Sequence, residues 1–183
     1  MDNGASSYRR FLDGDEGAFS QIVADLFPGT VGFIDGFVRD YHTAQDIAMD
    51  VFADLIVHPG RYNFKVSLKT YIYMCARSRA LDYLKHQRVI RFTQLEEALV
   101  MADGGQDPQS LLQRSELRRA VQKALEELPE PMAVAVYLVY FEDMTYAQAA
   151  KVLKRNVKYV DNILQRAKKE LRRILGEDGK RYL

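Results

Sequence analysis

Between residues 61 and 91, cations and aromatic rings are interleaved. Arg61, Tyr62, Asn63, Phe64 and Lys65 follow one another; Lys69, Tyr73 and Arg77 then recur every four residues, and Lys85 and Arg88 carry the positive charge onward. Every base has a π-face and every nucleotide a phosphate, so rings that stack and cations that follow the backbone suit single-stranded nucleic acid. Asn, Phe and Lys in one loop can also hold a base turned out of its stack. The plainer alternative makes Phe64, Tyr71 and Tyr73 core aromatics. Tyr71 shares a stripe with Leu68, Ile72 and Cys75 and is assigned to the core; Tyr73 lies with the cations and is expected outside it.

A second set of polar side chains lies near the C-terminus. Lys158, Tyr159, Asn162 and Arg166, followed by Lys169, share one face of a helical pattern whose other face carries Val160, Leu164, Ala167 and Leu171. Arg and Lys can hold phosphates or guanine edges, Asn can pair with adenine, and Tyr can reach a phosphate. On the early turns of a helix they suit duplex DNA read through the major groove. Ile163 could meet a thymine methyl but is assigned to the core. A basic, solvated α-hairpin is the competing reading.

The third set is acidic. Asp46, Asp50 and Asp54 recur every four residues beside the apolar stripe Ile47, Val51 and Leu55. Like charges at this spacing weaken an isolated helix by roughly 0.2–0.5 kcal/mol per pair. Either water solvates this face or a cationic partner covers it.

Nothing comparable points to catalysis. The three histidines (His42, His58, His86) lack metal-ligand spacing, no glycine-rich phosphate loop occurs, and Gly104-Gly105 sits in an acidic stretch. The lone Cys75 reads as a structural thiol, excluding an internal disulfide or a cysteine-based zinc site. No enzyme activity, metal or cofactor is expected. Net charge is +1, but it is distributed in blocks: nine acids against one base over 13–60, eight bases against one acid over 61–91, five acids against one base over 92–116, and nine bases against two acids over 151–173. Blocks of opposite sign suit a protein that touches unlike partners, with two phosphate contacts among them. The longest charge-free apolar run, Met132 to Phe141, is about half of a membrane-crossing helix. A soluble cytoplasmic protein without membrane insertion is expected.

The elements that must position these residues are helices throughout. Phe19, Ile22, Val23 and Leu26 mark a first helix, interrupted at Pro28-Gly29; the next runs to about Arg39. Thr43 is the expected cap of a third helix ending near His58-Pro59-Gly60, and Ser67 that of a fourth reaching roughly Arg88. After Pro129-Glu130-Pro131 a helix spans Met132 to Phe141. Thr145 with Gln148 makes a capping box, and Asn156 can cap the last helix, to about Leu175. Lys154-Arg155-Asn156 is the turn of a helix-turn-helix, packed through Ala147, Ala150 and Val152-Leu153. The expected fold is all-α: residues 1–91 and 114–183 form two small helical domains, joined by a flexible acidic linker, 92–113.

These segments resemble a known family. TAQDIAMDVFADL (43–55) resembles the part of bacterial sigma factors that grips core RNA polymerase; LKTYIYMCARSRALDYLK (68–85) resembles the helix that reads the −10 promoter element; residues 125–171 resemble the domain that reads the −35 element. Their order and the absence of a middle domain resemble the extracytoplasmic-function (ECF) group of the sigma-70 family, over about residues 8–175. The resemblance implies a factor that directs promoter recognition and opening. Asp46, Asp50 and Phe52, with Asp54 in the same stripe, would face the clamp of the beta and beta-prime subunits. The loop 61–66 and Lys69, Tyr73 and Arg77 would bind the −10 strand, with Lys85 and Arg88 continuing that surface, and Lys158, Tyr159, Asn162, Arg166 and Lys169 would meet −35 duplex. The linker would thread towards the RNA exit path, and an anti-sigma protein is a candidate partner. The chain departs from the usual pattern at Tyr71, Ser78, Lys154, Asp161 and Ile163. A helix-turn-helix regulator acting without replacing sigma would explain 145–173 but not the acidic stripe or the aromatic loop.

Overall fold

The computed structural model describes residues 4–93, 124 and 127–175. Among these, every regular element is a helix: α1 Ala5–Leu12, α2 Glu16–Val38, α3 Tyr41–Val57, α4 Leu68–Thr93, α5 Glu130–Val136, α6 Tyr146–Leu153 and α7 Val157–Leu175. A 3-10 turn, Pro59–Arg61, leads into the loop before α4, and a π-helical turn, Tyr137–Phe141, extends α5.

α2 is the hub of the N-terminal unit. Ile22, Val31, Phe33, Ile34 and Phe37 are buried along it, against α1, α3 and α4. It has the length and apolar content of a membrane-crossing helix, but that apolar surface is the centre of this unit's core. The expected break at Pro28-Gly29 does not occur, and α2 runs through both residues. Burial on either side of the proline holds the two halves in line, and the Thr30 hydroxyl donates to the Leu26 carbonyl at 2.7 Å. Tertiary packing thus outweighs the roughly 3 kcal/mol that an internal proline costs a bare helix.

α1 has no counterpart in the sequence reading, because its apolar residues are few. Its Tyr8 is nevertheless fully buried and donates to the Leu55 carbonyl at 2.8 Å. α3 begins earlier than expected. Asp40, not Thr43, is its N-cap, accepting from the Thr43 amide at 2.7 Å; a carboxylate there also meets the positive end of the helix dipole. Ser67 accepts from the Thr70 amide at the start of α4.

In the C-terminal unit, α5 packs on α7, and α6 on both α7 and α4. Val160, Ile163, Leu164, Ala167 and Leu171 are buried along α7, so Ile163 belongs to the core. From α6 the buried partners are Ala149, Ala150, Val152 and Leu153; Ala147 is exposed, contrary to expectation. Most of the linker assigned to 92–113 lies outside the described residues, although α4 carries on through Thr93.

Candidate nucleic-acid and polymerase interface

The helix-turn-helix is built by local rules. Thr145 and Gln148 form the reciprocal capping box at the start of α6, with Thr145 N donating to Gln148 Oε1 at 2.8 Å. Asn156 Oδ1 accepts from the Tyr159 amide at 2.8 Å and caps α7. Between them Lys154 takes the left-handed conformation at φ 54°, and its N–H bonds back to the end of α6. The turn keeps a geometry suited to glycine although a lysine occupies it. Lys158, Asn162, Arg166 and Lys169 are exposed and Tyr159 half-buried, with the Arg155 guanidinium 5.6 Å from its ring centre. Four of the five therefore lie on the outward side of α7, and Tyr159 lies at the edge of its buried stripe. Among the described residues none of them is ion-paired with an acid, which leaves the positive charge of this face outward.

The basic aromatic loop is folded differently. Tyr62 is buried, donates to the Val66 carbonyl at 2.7 Å, and packs against Tyr8, Phe64 and Tyr71. Phe64 has φ 60°, a conformation that costs a non-glycine residue. The Asn63 side chain supports this turn by accepting from the Lys65 amide at 3.1 Å. The Arg9 guanidinium lies 4.8 Å from the Phe64 ring centre. Asn63, Lys65 and Lys85 are exposed; the Arg88 side chain lies outside what the structure describes.

Arg61 is bound within the fold: its Nη1 donates to both carboxylate oxygens of Asp54 at 2.7 Å. Arg79 reaches Asp54 at 3.4 Å and Asp50 at 3.8 Å. Burial works against ionisation of Asp54, but these guanidiniums and His58 outweigh it and hold the carboxyl below its ordinary value. The cation that the acidic stripe called for is, at Asp54, supplied from inside. Asp46 and Asp50 remain exposed, as do Met49, Ile56 and Val57 on the same helix. Phe52 does not face outward: it is 4 % exposed and sits edge-on to Phe27 at 5.5 Å. It follows Ile47, Val51 and Leu55 into the core.

Tyr73 is the largest correction. It is fully buried, 4.9 Å from the Phe33 ring centre, with Glu142 and Tyr137 of the C-terminal unit beside its hydroxyl. Lys69 Nζ lies 2.9 Å from Glu142 Oε2 and donates to the Glu142 carbonyl at 2.7 Å. Tyr137 donates to the Gly29 carbonyl at 3.1 Å, and its ring is 6.0 Å from Phe33. Burial first, then the neighbouring Glu142 carboxylate, raises the pKa of both phenols. Tyr71 is half-buried and its phenol is pushed up to about 12, mainly by desolvation. Sequence reasoning missed Arg79, Glu142 and Tyr137; their partners are distant in the chain, so no local spacing marks them.

Residues 23–89 match sigma-70 region 2 and residues 118–171 match sigma-70 region 4. The chain belongs to the sigma-70 family. Among the relatives of this sigma factor is RNA polymerase sigma-H factor of Pseudomonas aeruginosa, 25 % identical over 178 residues, covering 91 % of this chain and 90 % of the relative. Another is the ECF RNA polymerase sigma factor SigW of Bacillus subtilis, 22 % identical over 172 residues, covering 88 % and 91 %. A solved structure of the sigma factor RpoE with the anti-sigma factor NepR from Bartonella quintana has a similar fold: TM-score 0.68 at 17 % identity, covering 87 % of this chain and 98 % of that one. The protein is a sigma factor of the ECF group, a subunit that directs promoter recognition in transcription initiation.

Proposed function

We propose that this sigma factor divides its work between three surfaces. The exposed face of α3, with Asp46 and Asp50 around Met49, docks on basic residues of the beta and beta-prime clamp. Phe52 and Asp54 act from behind it, fixing α3 against Phe27, Arg61 and Arg79. The loop at Asn63, Phe64 and Lys65 and the α4 residues Lys69, Tyr73, Arg77, Lys85 and Arg88 take the −10 strand, with Arg61 bracing the loop's entry. Lys158, Tyr159, Asn162, Arg166 and Lys169 take −35 duplex. The domain division is 1–91 and 114–183, and the acidic segment between them lies along the basic RNA exit path. The protein acts in the cytoplasm by binding, without catalysis, and an anti-sigma protein that covers these surfaces is a further partner.

The observation that supports this reading is α7: Lys158, Asn162, Arg166 and Lys169, of types able to meet bases or phosphates, are exposed on an intact helix-turn-helix, at the opposite end of the chain from an acidic, partly apolar helix face. The test is run-off transcription with core polymerase on randomised templates, with and without the protein. Specific transcripts that share a two-part upstream sequence are expected. Comigration with core but no specific transcript would sink the assignment of the DNA surfaces.

A further inference from the structure

A cavity of about 430 Å³ is walled by α1, the loop before α4, the start of α4, and α6. Its cations, Arg9, Lys65 and Lys151, come from three elements far apart in the sequence, and no acidic side chain lines it. Among the described residues none of these three cations is ion-paired with an acid. A cleft lined by one sign of charge concentrates ions of the other sign.

The uncharged polar walls add donors. Gln148 Oε1 accepts from the Thr145 amide at 2.8 Å and from the Thr145 hydroxyl at 3.0 Å. The capping box thus takes its acceptor and leaves the Nε2 hydrogens. Ser67 Oγ accepts from the Thr70 amide and lies 2.8 Å from Thr70 Oγ1. Whichever hydroxyl donates in that pair, the other keeps a proton to give. The Arg9 guanidinium lies over the Phe64 ring, 4.8 Å from its centre, and Phe64 holds its left-handed φ of 60° in the cavity wall. A guanidinium stacked through its face keeps its N–H edge for hydrogen bonds.

Cations and donors without a carboxylate are the complement of an oxyanion. A phosphate monoester carries about −1.5 to −2 at neutral pH. Three cations offer more than that, and a diphosphate group matches them better. We propose that this cavity binds a small diphosphate-bearing molecule of the nucleoside diphosphate class, held by Arg9, Lys65 and Lys151. The ligand touches α1 and the loop on one side and α6 on the other, so its binding is linked to how the two units are arranged. It gives the chain a small-molecule input separate from the polymerase and duplex surfaces.

Phe64 and Lys65 also belong to the proposed −10 surface, so the test uses Arg9→Gln and Lys151→Gln, both at exposed positions outside it. The full chain is titrated calorimetrically with ADP, inorganic diphosphate and inorganic phosphate at constant ionic strength. One-to-one saturable binding of ADP and diphosphate is expected, tighter than that of phosphate. Each substitution should weaken it about tenfold while the circular dichroism spectrum stays the same. Arg166→Gln, on the outward side of α7, should leave it unchanged; an equal loss there would reduce the effect to nonspecific charge and overturn the site. Absence of saturable binding, or an affinity that neither cavity substitution alters, would overturn it too. Single-stranded oligonucleotide binding that both substitutions weaken, without uptake of ADP or diphosphate, would give the cavity to a DNA backbone and overturn the small-ligand assignment.

Discussion

The two surfaces proposed to meet DNA in this sigma factor are presented in opposite ways. On α7 the proposed contact residues stand out from a core that needs none of them: Lys158, Asn162, Arg166 and Lys169 are exposed while Val160, Leu164 and Ala167 are buried beneath. On α4 and its preceding loop, the proposed contact residues are woven into the fold. Arg61 is held by Asp54, Phe64 by Tyr62 and Arg9, Lys69 by Glu142, and Tyr73 is buried entirely. A duplex is a rigid ligand that a preformed helix face can meet without rearrangement. A single strand offers bases and phosphates only after melting.

The contrast is broken most severely through the core under α7. Leu164 is 1 % exposed, and Leu164→Ala is expected to cost the C-terminal unit about 2–5 kcal/mol through lost burial and a cavity. Denaturation of the full chain followed by circular dichroism, together with duplex binding, checks this. Duplex binding should be lost while clamp binding by the N-terminal unit persists; loss of both would mean that the two units do not act separately.

Arg166→Ala removes a contact and leaves the core alone. Duplex affinity should fall by about 1–3 kcal/mol, and the slope of log K against log salt should shrink by about one. A salt titration reads this directly, and an unchanged slope would take Arg166 out of the phosphate contacts. On the acidic face, Asp50→Arg reverses an exposed charge. It should weaken core-polymerase binding by about 1–3 kcal/mol without altering thermal stability; comigration with core alongside a melting curve separates the two effects.

The turn before α7 offers a smaller change of opposite sign. Lys154 holds φ 54°, a conformation that costs a residue with a Cβ on the order of 1 kcal/mol relative to glycine. Lys154→Gly should therefore stabilise the helix-turn-helix by about that amount in chemical denaturation. A loss of stability would show that the lysine side chain contributes more than its backbone strain costs.

How much of this was legible beforehand follows from the range of the interactions. The α7 surface was read almost residue by residue, because a helix with one buried stripe displays its remaining side chains by periodicity alone; Thr145, Gln148 and Asn156 cap their helices as local rules require. Phe52 and Tyr73 were misplaced for the complementary reason. Whether a ring on a helix flank is buried depends on what packs there, and here that is Phe27, Phe33 and a C-terminal unit more than sixty residues further along. Pro28 misled because its cost is local and its compensation is not. The acidic stripe was partly legible: its regularity was real, but Arg61 and Arg79 divide it, neutralising Asp54 from inside and leaving Asp46 to the surface.

That division of the stripe gives the smallest effect and the sharpest sign. Asp54 has its carboxyl held below the ordinary value by Arg61, Arg79 and His58, against the opposing effect of burial. An acid with a depressed pKa in the folded state contributes stability that is present above its unfolded pKa, about 3.9, and is lost as pH falls through the folded value. Removing the charge by Asp54→Asn should therefore destabilise the protein at neutral pH, by about 1 kcal/mol given that the Arg61 side chain is largely open to water. The difference from the unsubstituted protein should shrink as pH falls through the folded value of Asp54 and vanish once both carry a neutral side chain there. Urea denaturation at several pH values measures the gap. If it stayed constant with pH, the Asp54 pairs would add nothing through charge, and the stripe would have to be read as three surface acids after all.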